Sequence, residues 1–220
     1  MAELWDVLAR NFSDFASGFL VTLRIVLISL LIALAAGTVV AALRISRSRW
    51  LRAIGGTYVE FFRNIPLLVL IFIAFAGLRR AGLPVGPWAA GTAGLGLYTG
   101  AYVAEAIRSG VFAVGKGQID ASLSLGFTYG QALRRIVLPQ AVRTVIPPIG
   151  NLVIAMIKNS AIIGASLLAI PDLLKEARIV QNDTFQTNES FFWAAVGYLV
   201  LTITATVVVR RLERRLAIRR

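Results

Sequence analysis

Long apolar runs separated by clusters of arginine constrain this chain more than any other feature. A helix needs about 20 consecutive, mostly apolar residues to cross the hydrocarbon of a bilayer. Five stretches meet or approach that length: roughly 17–43, 57–78, 88–112, 146–168 and 191–209. Only 15% of the residues are charged, against about 25% in an ordinary soluble domain. Mean hydropathy is +0.75. This balance rules out a disordered chain and argues against a water-soluble globule. The expected fold class is an all-α integral membrane protein of five transmembrane helices, forming a single domain over residues 1–220. No internal repeat or low-complexity linker divides it. The first run is too long for a signal-peptide core and is preceded by Glu3, Asp6 and Asp14 against Arg10, so it is read as a retained span.

The basic residues set the expected orientation. Arg44, Arg47, Arg49 and Arg52 follow the first run. Lys116, Arg134, Arg135 and Arg143 lie in the segment 113–145, against Asp120. Arg210, Arg211, Arg214, Arg215, Arg219 and Arg220 fill the tail, against Glu213. With five spans all three groups fall on one side, and their excess equals the whole net charge of +12. That side is expected to be cytoplasmic, with the N-terminus outside and the C-terminus inside. Arg79 and Arg80 alone run against the rule. The positive charge therefore points to a lipid bilayer and not to nucleic acid.

Chemistry-bearing residues are few. The chain has no Cys and no His, which removes disulfides, thiolate metal sites and the commonest general base. No nucleophile–base pair or metal-ligand set is recognisable, so an enzyme is the weakest reading. Nor is there a phosphate-cradling loop: Gly115-Lys116-Gly117 lacks the G-x-x-x-x-G-K-[ST] spacing. No cofactor is expected in this chain.

The segment 113–145 is more than a connector. Ile119, Ala121, Leu123 and Leu125 fit a short amphipathic helix imperfectly, and Gly126 is a natural stop after it. A second helix is expected from about Tyr129 to Val137, ended by Pro139. On physical grounds alone, an ordinary amphipathic surface loop is the simpler reading.

At this point the sequence resembles a known family. Asp120-Ala121-Ser122-Leu123-Ser124-Leu125-Gly126, followed by Ile136-Val137-Leu138-Pro139, is similar to the EAA loop of permease subunits from ATP-binding-cassette (ABC) importers, in the polar amino-acid branch. Asp120 stands for Glu and Ser122 for Ala. Tyr58 to Leu68 (YVEFFRNIPLL) resembles the family's Y-x-E-x-x-R-x-x-P-L-L, and Tyr102 to Gly110 (YVAEAIRSG) its Y-x-x-E-x-x-R-x-G. Lys158-Asn159-Ser160 falls where the family often has K-D-T-S or K-N-S-S.

The resemblance implies a type I importer permease in the bacterial plasma (inner) membrane. It implies a second permease subunit, identical or different, and an extracytoplasmic amino-acid-binding protein. Two cytoplasmic ATPase subunits would bind and hydrolyse ATP in place of this chain. It assigns the ATPase-coupling role to Gln118, Asp120, Ala121, Ser122, Leu125 and Gly126.

Charges within a bilayer are costly and face a partner or a cavity. Glu60 with Arg63, and Glu105 with Arg108, are each spaced i, i+3 and can pair. They read as structural ion pairs at the inner interface or as parts of an inner gate. Arg24 reads as an interface anchor. Lys158, with Asn159 and Ser160, is expected near the midplane, facing either the path or a buried helix contact. Pro66 should break the second span and free the carbonyl of Phe62, making Asn64 and that carbonyl candidate substrate contacts. Gly91, Gly94, Gly96 and Gly100 suggest close helix packing, extending to the third spans of two protomers.

Within the implied substrate class, Asn159 lacks the negative charge that would meet a cationic substrate, and the charges within the spans are net positive. Glutamate, aspartate or glutamine is expected before arginine, lysine or histidine. The alternatives are an ATP-independent carrier or channel acting as a homo-oligomer, and a membrane anchor subunit without a path of its own.

Overall fold

The computed structural model describes residues 2–166 and 168–216. Arg219 and Arg220 of the basic tail and Leu167 of the fourth expected span lie outside the described residues, as does the side chain of Lys116. Every regular element among the described residues is helical. In chain order these are α1 (Ala2–Arg10), α2 (Phe12–Ile45), α3 (Arg49–Asn64), α4 (Leu67–Phe72), α5 (Leu78–Arg80) and α6 (Pro87–Ala113). They continue with α7 (Lys116–Ser124), α8 (Tyr129–Ala132), α9 (Leu138–Ala165), α10 (Leu173–Thr184) and α11 (Thr187–Leu216). Widened π-type turns, Ile73–Gly77 and Leu133–Val137, join α4 to α5 and α8 to α9.

Three helices are long and apolar enough to cross a membrane: α2, the continuous stretch Tyr129–Ala165, and Thr187–Arg215 within α11. The pair Arg49–Asn64 and Leu67–Arg80 makes a fourth, bent by 105°. At 27 residues, α6 is long enough at about 40 Å. Its glycines, threonines and tyrosines lower its hydropathy, and as the central helix it packs on α2, α3, α4 and α9. Its buried positions include Ala90, Leu95, Ala101, Val103 and Ala104.

The packing of α2 on α6 explains the glycines. A Cβ on Gly96 would come within 2.7 Å of Ile32, and one on Gly37 within 2.6 Å of Val103. Gly91 faces Leu168 and Ile163, Gly94 faces Ile71, and Gly100 faces Tyr58. The glycines let backbones approach inside the subunit, as close helix packing requires.

Two prolines behave differently from each other. At Pro66 the chain leaves the helix: Ile65 is extended at φ −106°, ψ 131°, and Pro66 follows at φ −57°, ψ 136°. A residue before proline is pushed out of the α region, and two extended residues turn the chain. The expected span 57–78 is thus two helices meeting at a sharp corner. Pro139, by contrast, does not end its helix as its chemistry suggests it should. The amide of Leu138 donates to the carbonyl of Leu133, five residues back. The widened turn accommodates the proline ring, and the helix runs on.

Two helices lie in segments expected only to connect or to precede spans. The first, α1, packs on α11, with Trp5 beside Trp193 at 5.1 Å between ring centroids. The second, α10, folds back on the bundle and buries Leu173, Ala177 and Val180 with Val7 and Phe15.

Candidate functional site

The segment 113–145 forms a helical hairpin fixed by two adjoining caps. The amide of Phe127 donates to the carbonyl of Ser122 at 3.1 Å, and that of Gly126 to Leu123 at 3.0 Å. This double closure ends α7 as a Schellman motif and places Gly126 at φ +83°. Thr128 then caps α8. Its hydroxyl accepts from the amide of Gln131 at 3.3 Å, while its own amide donates to Gln131 Oε1 at 2.9 Å. The T-x-x-Q spacing carried that second signal in the sequence.

The packing partners of α7 are α8 and the turn after it. Ser122 is the residue α7 buries, its hydroxyl donating to the carbonyl of Gln118. Gln118, Asp120, Ala121 and Gly126 are exposed, and so are Leu123 and Leu125, the latter by 78%. The side chains of Leu123 and Leu125 therefore point away from the chain. Arg47 stacks over the ring of Tyr129 at 4.6 Å, tying the hairpin to the α2–α3 connection.

A second feature is a polar stripe on α9 that the chain leaves uncovered. Thr144, Pro148, Asn151 and Lys158 are exposed along it. Successive helical residues diverge by about 100°, so Lys158, Asn159 and Ser160 do not form one cluster. Lys158 points outward, and Asn159 lines a small cavity with Tyr98, Thr99 and Tyr102. Ser160 is buried and donates to the carbonyl of Ile157 at 2.7 Å. The expectation that the three share one surface is corrected. Because α9 extends Leu138–Ala165, Lys158 lies about 10 Å from its C-terminal end.

The two i, i+3 charge pairs part company. Glu105 binds Arg108 and also Arg44, at the end of α2. Glu60 and Arg63 do not pair. Glu60 accepts from Asn64 Nδ2 at 3.0 Å, and Arg63 lies over the ring of Tyr102 at 5.3 Å. Spacing allowed either outcome, and neighbouring groups decided it. Arg63, Tyr102 and Glu105 line a cavity of about 420 Å³ with Thr144 and Asn151. Asn64 and Pro66 are exposed at the corner between α3 and α4. Arg24 is exposed on α2.

Sequence reasoning missed Asp172, which is fully buried in the connection between α9 and α10. It caps α10 by accepting from the amide of Lys175 at 2.9 Å, and accepts from the Tyr198 hydroxyl at 3.3 Å. The amide of Leu173 donates to Thr22 Oγ1 at 3.0 Å. Burial pushes the Asp172 carboxyl up to about 6, against the hydrogen bonds it accepts. An aspartate just before an apolar run was a capping signal; its burial was not readable.

An all-helical bundle with these broken and continuous helices and a projecting hairpin defines the type I ABC-permease fold. Residues 29–218 match the family described as the binding-protein-dependent transport system inner membrane component, and the chain belongs to that family of multi-pass inner-membrane permeases. It is 44% identical over 211 residues to the Bacillus subtilis (strain 168) protein named as a probable glutamine ABC transporter permease, GlnM, covering 96% of this chain and 97% of that one. It is 33% identical over 232 residues to the glutamate transport system permease GluC of Corynebacterium glutamicum, covering 100% of both. A crystal structure of an amino acid ABC transporter with histidines contains a chain superposing with a TM-score of 0.89 at 33% identity, covering 94% of this chain and 96% of that one.

Proposed function

We propose that this chain is the permease subunit of an ATP-driven importer of a polar amino acid. It works with a second permease subunit, two cytoplasmic ATPase subunits and an extracytoplasmic binding protein. Five spans cross the inner membrane, α6 being the central one and the bent pair α3–α5 the second. The N-terminus is outside and the C-terminus inside. The whole chain acts as one transmembrane domain, requires no cofactor of its own and leaves ATP to its partners.

The observation that carries this reading is α7. A short helix outside the bundle exposes Leu123 and Leu125 where water would oppose them, which fits a helix seated in a partner's cleft. Gln118, Asp120, Ala121 and Ser122 surround that contact, and Gly126 fixes its exit. ATP-driven closure of the two ATPases would move both hairpins and, through the unbroken helix Tyr129–Ala165, the spans themselves.

The translocation path runs along the uncovered stripe of α9, with Asn159 and Lys158 toward one end and Asn64 and Pro66 on the facing corner. Ser160, buried with its hydroxyl on the carbonyl of Ile157, lies behind this path. The relatives named for glutamine and glutamate support those two substrates over cationic amino acids, as does Asn159, which offers no negative charge. Glu105 and Arg108 are structural ion-pair residues beside this path, and Glu60 and Arg63 belong to its inner mouth. An ATP-independent carrier is disfavoured, because it gives the exposed face of α7 no task.

The test is ATP-dependent uptake by the complex reconstituted in vesicles with its ATPase and binding protein. Glutamine or glutamate should be taken up and should outcompete arginine. Uptake indifferent to ATP would overturn the function, and preference for arginine would overturn the substrate assignment.

A further inference from the structure

Two cavities lie along the uncovered face of α9, and among the described residues only two side chains line both: Tyr102 of α6 and Leu152 of α9. The smaller, about 240 Å³, also touches Tyr98, Thr99 and Asn159. The larger, about 420 Å³, touches Arg63, Glu105, Thr144 and Asn151. Asn159 and Asn151 sit on the same helix, two turns apart, so the cavities follow each other along the helix axis.

Tyr102 is held from two directions. Its hydroxyl is 3.2 Å from that of Tyr98, one turn earlier on α6, and the two ring centroids are 5.2 Å apart. The Arg63 guanidinium covers its face at 5.3 Å from the centroid. This is within the range in which a cation is attracted to an aromatic quadrupole. Arg63 stands at the end of α3, just before the 105° corner, so movement of that corner would withdraw it from the ring.

We propose that Tyr102, with Leu152 opposite, is the gate between an outer substrate pocket and an inner vestibule. Arg63 is the latch that keeps its ring across the path. When α3 and α6 shift relative to one another, Arg63 leaves the ring face, the ring turns, and the cavities become one channel. The constriction itself is the ring of Tyr102 beside the side chain of Leu152, and it blocks a solute by filling the space between the two cavities. This proposal rests on the permease reading for the identity of the solute, but not for the barrier itself.

The chain's lack of cysteine makes the test direct. Single variants Asn151→Cys and Asn159→Cys are reconstituted in the full complex, without nucleotide. A membrane-impermeant methanethiosulfonate reagent is added from the side bearing the 113–145 hairpin. With Tyr102 in place, Asn151→Cys should label and Asn159→Cys should be protected. Adding Tyr102→Ala should remove that protection and bring Asn159→Cys to a rate comparable with Asn151→Cys. Tyr102→Phe, which keeps the ring, should retain it. Leu152→Ala opens the same barrier from the other helix and serves if the Tyr102→Ala complex fails to assemble.

Equal labelling of Asn159→Cys with and without the barrier side chains overturns the gate, provided Asn151→Cys labels at an unchanged rate. No substrate enters this measurement. A wild-type complex that transports no amino acid would therefore sink the permease reading and leave the gate to be judged on labelling alone.

Discussion

Arg44 and Glu105, 61 positions apart in sequence, form an ion pair that fastens the end of α2 to α6. Glu105 engages Arg108 at the same time, so one carboxylate answers two guanidinium groups. Both partners of the long-range pair are mostly buried, Arg44 being 20% and Glu105 28% exposed. Removing the carboxylate leaves two cations facing each other beside the larger of the two cavities on α9. Glu105→Gln should destabilise the complex by roughly 1–3 kcal/mol, between the surface and fully buried extremes. A double-mutant cycle with Arg44→Gln, read by thermal unfolding in detergent, should give a favourable coupling energy. Additive single effects would mean that the pair holds nothing.

Gly126 should tolerate only residues that accept positive φ. Its φ is +83°, and a Cβ there would meet open space. The cost of substitution is therefore backbone strain, about 1–2 kcal/mol for an ordinary residue. Gly126→Asn should keep most transport. Gly126→Val should insert and assemble but lose coupling, with ATP hydrolysis persisting while uptake falls. Wild-type uptake by Gly126→Val would remove the hairpin from the mechanism.

Asp172 should make the α9–α10 end of the bundle sensitive to pH. Its carboxyl titrates at about 6 in the fold against an ordinary 3.8, so the folded state binds the proton more tightly. The resulting stability is fully present below about 3.8 and is lost as pH rises through about 6. A shift of this size corresponds to about 3 kcal/mol. The groups around it are Tyr198 from α11, Thr22 from α2, and Lys175 and Glu176 from α10. Asp172→Asn should flatten the fall in unfolding temperature between about pH 4 and pH 6, measured as the difference from wild type. An unchanged difference across that range would show that the aspartate is not protonated there.

Two glycines on different helices should respond in opposite directions to alanine. Gly96→Ala drives a methyl against Ile32 and the carbonyl of Ser29, and overpacking of this kind costs roughly 1–3 kcal/mol. Gly56, in α3, has open space for 4 Å around the point where a Cβ would sit. Gly56→Ala should stabilise by about 0.5–1 kcal/mol through reduced backbone freedom. Unfolding midpoints of the two variants in one detergent decide this, and equal effects would contradict the α2–α6 packing described.

What could be read from the sequence was local. Gly126 was legible because few other residues accept its φ, and Glu105–Arg108 because the partners are one turn apart. Glu60 and Arg63 have that same spacing yet found other partners, since spacing permits a pair without excluding a nearby asparagine or aromatic ring. Arg44 counted only as a charge favouring one side of the membrane, for its carboxylate lies on another helix. Pro66 and Pro139 carry the same chemistry. One follows an extended residue and turns the chain, while the other is absorbed by a π-type turn that no pattern announces. The burial of Asp172 depends on α10 folding back, a tertiary event. Polarity in the spans pointed to α9, but the stripe that the chain leaves open runs through Thr144 and Asn151, which are too mild to stand out among the charges.

The hairpin as the handle of an external motor is tested most directly by cross-linking. Leu125→Cys, the chain's single thiol, should join a cysteine placed in the helix-binding cleft of the ATPase subunit within the assembled complex. The cross-link should arrest ATP-dependent uptake, and reduction should restore it. Uptake that proceeds at full rate while Leu125→Cys contacts no ATPase and reacts freely with a reagent in bulk water would contradict the account.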